Sequence, residues 1–229
     1  IYEMIEAAES GVLKAIYIMG ENPLRSLPDP DRVAAALKKL DFIVVQDIVR
    51  NRTADLAHVL LPGAAFSEKS GSFTNMEGRI QSFSPVVNPP GKALPDWMIL
   101  GLLAQKMGYT EQYSTVEKIR QEIRRTVPMY AALGNHRQEW VKNAETGTPF
   151  VDNNVRFAFN PIRPASAAAV PDPSRPFSAL LGSLRWHLGS GTRTSRSRRI
   201  ASASLGGEVH LNPADVKALG LAGTDRVRI

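Results

Sequence analysis

Met19-Gly20-Glu21-Asn22-Pro23-Leu24-Arg25-Ser26, a helical interval, and then Asp41-Phe42-Ile43-Val44-Val45-Gln46-Asp47 decide how this chain folds. Leu13-Lys14-Ala15-Ile16-Tyr17-Ile18 leads into the stretch and is β-branched and aromatic enough for a buried strand. Gly20 and Pro23 break that strand. Between Pro30 and Leu40, Val33, Ala36, Leu37 and Leu40 recur at helical spacing, and Phe42 to Val45 is a second short apolar run. The pattern predicts a βαβ unit. Open α/β sheets bind ligands beyond the carboxyl ends of their strands, and Glu21, Asn22, Ser26, Gln46 and Asp47 fall just there.

Outward from this unit, Ile1, Met4, Ile5 and Ala8 space a first helix that Gly11 stops. Thr53 suits the cap of a short helical turn, and His58-Val59-Leu60-Leu61-Pro62 reads as a third strand ended by proline. Short strands joined by helical crossovers predict a parallel sheet. Gly71 to Gln81 carries the punctuation of an irregular hairpin or loop excursion. Pro95 to Met107 predicts a helix with Trp97, Ile99, Leu100, Leu103 and Met107 as its apolar stripe, and Thr115 to Arg125 predicts another. From Pro128 to Pro176 the periodicity dissolves among Pro149, Pro161, Pro164, Pro171, Pro173 and Pro176. Beyond it, Phe177–Leu184 and Glu208–Leu211 read as strands, Asn212 as the cap of a helix opening at Pro213, and Asp225–Ile229 as a further strand. The expected layout is an α/β domain over 1–129, a proline-rich connection over 130–176, and the start of a β-barrel-like domain over 177–229.

The chain has 229 residues, 43% of them hydrophobic and 22% charged, which suits one or two globular domains with a real core. No apolar run reaches the roughly 20 residues that cross a bilayer, so no membrane insertion is expected. Without cysteine, the chain offers no thiolate nucleophile and no cysteine ligand for a metal or an iron–sulfur cluster. His58, His136, His187 and His210 show no metal-ligand spacing. The net charge of +6 is concentrated late, in Arg185, Arg193, Arg196, Arg198 and Arg199. With Trp186 as the one aromatic among them, nucleic acid is not the expected partner; a nucleotide diphosphate or an acidic subunit suits the cluster. G-x-S-x-G, the P-loop and GxGxxG are absent, and no catalytic residue is assigned.

Five groups of residues then occur in order: Gly20-Glu21-Asn22-Pro23, Val45-Gln46-Asp47-Ile48, Ala57-His58-Val59-Leu60-Leu61-Pro62, Phe73-Thr74-Asn75 with Glu77-Gly78-Arg79-Ile80-Gln81, and Pro95-Asp96-Trp97. Together they resemble the molybdopterin oxidoreductase family. Ser190-Gly191-Thr192-Arg193-Thr194 and Glu208 to Asp215, followed by Leu219-Gly220-Leu221, are similar to that family's C-terminal dinucleotide-binding barrel. The resemblance implies guanine-dinucleotide pterins held between domains, with a molybdenum or tungsten centre between them. It implies one nucleotide held by Gly20, Glu21, Asn22, Ser26, Gln46 and Asp47, with Asp96 as a further contact. His187, Thr192, Arg193 and Thr194 match the region facing the second pterin. The family's metal ligand and its iron–sulfur cysteines are expected upstream of Ile1, in a part this piece lacks. Gly63 departs from the pattern, because a hydroxyl residue often contributes there.

Within the family, Phe73 to Arg79 looks closer to the large iron–sulfur subunit of NADH–quinone oxidoreductase, complex I, than to a formate dehydrogenase. That reading implies electron transfer from NADH towards quinone in the whole subunit, with this piece as scaffold. Its partners would be other subunits of a redox complex, in the cytoplasm or at the inner membrane face. The formate dehydrogenase catalytic subunit is the second reading, and a non-catalytic interaction module the third. Plainer roles stand beside these: Glu21 and Asn22 as turn caps, Gln46-Asp47 as a solvated loop, Asp96 as a first-turn charge, His58 and His210 as hydrogen-bonded structural residues.

Overall fold

The computed structural model describes residues 1–110, 113–131, 138–140, 177, 182, 185–187, 189–203, 209–223, 225 and 227. The chain divides into two compact units, Ile1–Ser178 and Ala179–Ile229.

In the first unit, helix α1 (Tyr2–Glu9), strand β1 (Ala15–Met19), the single turn α2 (Pro23–Ser26), helix α3 (Pro30–Leu37), strand β2 (Phe42–Asp47) and strand β3 (Val59–Pro62) follow in order. The three strands form a parallel sheet ordered β1-β2-β3, with Ile18 opposite Val45 and Gln46 opposite Leu61. Helix α3 starts where Asp29 adopts the left-handed conformation at φ 55°, a region that short polar side chains tolerate. Its carboxylate accepts the Arg32 N–H at 3.0 Å, and Pro30 fills the first helical position. Strand alternation sends Ile16 and Ile18 of β1, and Ile43 and Val45 of β2, to one face. There they pack with Ile5, Ala8, Leu24, Val33, Ala36, Leu37 and Leu40. Val33, Ala36 and Leu37 of α3 are buried as expected, and so is Leu40, which lies just beyond the end of the helix. In α1, Ile5 and Ala8 are buried, but Ile1 and Met4 are exposed, because only one side of this short helix meets α3. Across that helix pair, Arg32 donates twice to Glu9 at 2.7 Å, and the guanidinium holds the Glu9 carboxyl below its ordinary range.

Strands β4 (Gly71–Thr74) and β5 (Arg79–Phe83) form a hairpin over the segment expected as an excursion. Its turn is closed by Asn75, whose side-chain oxygen accepts the N–H groups of Glu77 and Arg79, while Gly78 supplies φ 83°. Opposite Gly71 lies Phe83, whose ring would stand 2.7 Å from a Cβ there, and the Phe73 and Phe83 rings stack at 5.0 Å. Strand β6 (Gln138–Trp140) pairs antiparallel with β5, inside a region the sequence assigns to connection. Helix α4 spans Asp96–Lys106 and α5 spans Val116–Thr126, with Thr115 capping the latter. The expected stripe on α4 is not buried as a stripe. Ile99 is covered, whereas Leu100, Leu102, Leu103 and Met107 are exposed, because the helix is apolar nearly all round.

In the second unit the described residues form a 3-10 turn at Thr194–Arg196, helix α6 (Arg198–Ala203) and helix α7 (Pro213–Ala218). Asn212 caps α7, accepting the Ala214 N–H at 2.9 Å. Val209, His210 and Leu211 form no strand, and no strand occurs among the described residues of this unit, so the expected barrel start is not seen there. Most of Phe177–Leu184, of Asp225–Ile229 and of the 130–176 connection lies outside the described residues.

Leu37 is 1% exposed at the centre of the first core. Leu37→Ala is expected to destabilise the fold by about 2–5 kcal/mol, read from the shift in a urea unfolding midpoint.

Candidate functional site

The carboxyl ends of all three parallel strands meet at one place. The Gly20 turn follows β1 with φ 66°, and its N–H donates to the Gln46 carbonyl at 2.8 Å. That N–H is therefore spent inside the protein rather than held out for a phosphate. At the end of β3, Gly63 N–H donates to the Asp47 carbonyl at 3.0 Å. Gly63 also bridges to Leu94 in parallel, with Ala64 N–H on the Leu94 carbonyl and Leu94 N–H on the Pro62 carbonyl. This pairing delivers Asp96, the first residue of α4, over the strand ends. A Cβ on Gly63 would stand 3.1 Å from Asp96 Oδ1. The departure from the family pattern at Gly63 thus leaves the space that the Asp96 carboxylate uses.

Two side-chain networks organise the site. In the first, Gln46 is fully buried; its Oε1 accepts from the Tyr17 hydroxyl and its Nε2 donates to Asp96 Oδ1 at 2.6 Å. Asp96 Oδ2 accepts from the Lys69 ammonium. Lys69 is set in place by the preceding 3-10 turn, Phe66–Glu68, which Glu68 closes by accepting the Ala65 N–H at 2.9 Å. Burial, and secondarily the negative charge of Asp96, raise the Tyr17 hydroxyl above its ordinary value. In the second network, Asp47 accepts from its neighbour Ile48 N–H and from the Asn51 amide, both at 2.7 Å. Asn51 Oδ1 then accepts the N–H groups of Thr53 and Ala54. The buried Thr53 hydroxyl donates to Asn22 Oδ1 at 2.7 Å and accepts the Leu24 N–H at 3.3 Å. Thr53 is therefore not the cap expected of it. Asn51 does the capping, and Thr53 locks the Gly20–Ser26 loop to the β2–β3 loop. Ser26 donates to the Asn22 carbonyl at 3.1 Å, and Glu21 is exposed.

Of the sequence-predicted residues, the structure thus gathers Gly20, Asn22, Ser26, Gln46, Asp47 and Asp96 at one sheet end. In the second unit it brings His187 and Thr194 together at 2.9 Å and Ser190 and Thr192 at 3.0 Å, beside an exposed Arg193. The sequence reading missed Tyr17, Asn51 and Lys69. Lys69 lies 27 residues from Asp96, in a polar run with no periodic signal. His58 is structural: its Nδ1 accepts the Ile43 N–H at 3.0 Å and its ring stacks on Phe42. Among the described residues no group of three His, Asp or Glu is placed to hold a metal ion.

Residues 1–106, the ones that build this sheet end, match the model of the molybdopterin oxidoreductase family. The chain carries a molybdopterin oxidoreductase domain. It is similar to the F420-dependent formate dehydrogenase subunit alpha of Methanocaldococcus jannaschii, at 40% identity across 100% of this chain and 36% of that one. The NADPH-Fe(3+) oxidoreductase subunit alpha of Geobacter sulfurreducens is 31% identical over 100% of this chain and 25% of its own length. Among solved structures, the acetylene hydratase of Pelobacter acetylenicus superposes with a TM-score of 0.42 at 25% identity, over 46% of this chain and 15% of that one. The chain spans about a third or less of the length of these sequence relatives. The sequence reading ranked the complex I subunit ahead of formate dehydrogenase. A formate dehydrogenase alpha subunit matched over the whole chain at 40% identity reverses that order.

Thr53→Val removes the buried hydroxyl that donates to Asn22 Oδ1 and accepts the Leu24 N–H. It is expected to cost about 1–3 kcal/mol by urea denaturation, and Thr53→Ser should retain most of that stability. Tyr17 makes a pH prediction. Its raised hydroxyl favours the fold fully below about pH 10, where tyrosine in an unfolded chain is protonated. That contribution is lost as pH climbs from there through the folded-state value. Unfolding midpoints for the wild type should therefore fall more steeply above pH 10 than those for Tyr17→Phe; parallel curves would refute the assignment.

Proposed function

We propose that this chain is the part of a formate dehydrogenase-type alpha subunit that holds the guanine end of a molybdopterin guanine dinucleotide. The observation that carries this reading is the Asp96 carboxylate. It is one-third exposed at the carboxyl ends of three parallel strands, buttressed by Gln46 on one oxygen and Lys69 on the other. The donor set fits the group. A carboxylate has about four acceptor sites, and each Asp96 oxygen has one partner in the network, so both oxygens can still receive a paired N–H edge such as guanine presents. The dinucleotide, when bound, contributes the pterin thiolates that ligate molybdenum or tungsten and so supplies the redox chemistry. The residues of this chain bind and orient its nucleotide end. Gln46 fixes the Asp96 rotamer, the Thr53–Asn22 lock shapes the Gly20–Ser26 loop, and Asp47 holds the β2–β3 loop closed beside them.

In the second unit, His187, Thr192, Arg193 and Thr194 are the proposed contacts for a second pterin nucleotide, with Arg193 suited to a pyrophosphate. Iron–sulfur clusters, the metal ligand and the electron acceptor belong, in this reading, to the rest of the full-length subunit and its partner subunits. The alpha-subunit names of the relatives favour a multi-subunit complex. No helix among the described residues is long and apolar enough to cross a membrane.

The test is elemental mass spectrometry of the purified full-length subunit, with pterin fluorescence and nucleotide analysis after acid release. Molybdenum or tungsten with guanine nucleotide is expected; iron without pterin would overturn the reading. Asp96→Asn should weaken guanine nucleotide binding by about 1–3 kcal/mol. Asp47→Ala should act chiefly on stability, since both of its oxygens serve the adjoining loop.

A further inference from the structure

Lys69 is the feature of the site that the family resemblance did not supply and that the proposed nucleotide contacts leave unused. Its side chain is 18% exposed, its ammonium contacts Asp96 Oδ2, and an ammonium carries three N–H donors, so donors remain for a ligand. Asp96 is thereby flanked asymmetrically. On the Oδ1 side stands a fully buried amide, Gln46, already shared between Tyr17 and Asp96. On the Oδ2 side stands a partly exposed cation. Gly63 adds no side chain beside Oδ1.

The Watson–Crick edge of guanine presents, in order, the O6 acceptor, the N1–H donor and the N2 amino donor. A carboxylate takes the two donors as a pair, which leaves O6 projecting past one end of the carboxylate. Among the described residues, the cation that contacts Asp96 stands at the Oδ2 end, and its ammonium has three N–H donors. From this we propose that Lys69 is a specificity-determining residue that donates to guanine O6, so that Asp96 and Lys69 read the whole edge together. Adenine reverses both signs. Its amino group would face the ammonium, and its N1 lone pair would face the carboxylate, so each contact becomes a repulsion or an unpaired group. Hypoxanthine keeps O6 and N1–H and loses only the amino group. This assignment rests on the guanine-binding reading above and adds to it the residue that distinguishes guanine from adenine.

The experiment uses the full-length subunit produced in a host unable to make the pterin, with a fluorescent GDP analogue displaced by GDP, IDP or ADP. Wild type should prefer GDP and IDP over ADP. Lys69→Met should weaken GDP and IDP alike, by about tenfold or more for a lost charged hydrogen bond, and leave ADP little changed. Lys69→Arg should restore part of the preference, because it returns donors to the same side. If a wild-type preference for GDP survives Lys69→Met, Lys69 does not read O6, while the guanine-binding reading stands. An equal loss of all three nucleotides with a lowered melting temperature makes Lys69 only a brace for Asp96, and also overturns the assignment. A wild-type subunit indifferent to the base overturns both readings at once.

Discussion

A fully buried side-chain amide at the end of a parallel strand has to be satisfied, and the placement of the whole site follows from how Gln46 is satisfied. Its carbonyl oxygen takes the Tyr17 hydroxyl from β1, and its amide nitrogen reaches Asp96 at the start of α4. Its backbone carbonyl takes the Gly20 N–H that turns the chain after β1. One residue thus sets three things: the exit from the first strand, the end of the second, and the position of a helix fifty residues later. Leaving either amide group unpaired there would cost about 1–3 kcal/mol, a sizeable fraction of a domain's stability.

The apolar architecture was legible from sequence because it is periodic. Val33, Ala36, Leu37 and Leu40 announce α3, and the short apolar run from Phe42 to Val45 announces a largely covered strand. The cap at Asn212 was legible because its chemistry is local. Contacts between residues far apart in sequence left no such trace. Thr53 looks like a cap from its neighbours, yet its hydroxyl serves Asn22 and Leu24, about thirty residues earlier. Lys69 looks like one polar residue among several, and only the Gly63–Leu94 bridge brings Asp96 to it. Strand β6 is three residues long and is specified by the β5 edge it pairs with, so its own sequence gave no signal. Gly20, Asn22, Ser26, Gln46, Asp47 and Asp96 share one sheet end, but the direction in which each spends its polar groups was not readable. Gln46 and Gly20 turn out to spend their groups inward.

The Asp96–Lys69 pair is poorly explained by stability. Taking two charges partly out of water costs several kcal/mol, and the attraction between them often does no more than offset that. Asp96 does not need Lys69 to sit where it does. The first turn of α4 favours a carboxylate through the helix dipole, and Gln46 already fixes its rotamer. The second network at the same sheet end shows what a purely structural solution looks like. Asp47, Asn51, Thr53 and Asn22 satisfy one another largely through neutral amides and a hydroxyl, and three of the four are buried. Beside that arrangement, a cation held at 18% exposure against a carboxylate at 33% keeps unspent donors and acceptors side by side. On the proposed reading, a ligand with the complementary order of donors and acceptors would use those groups. That order is the one a guanine edge carries.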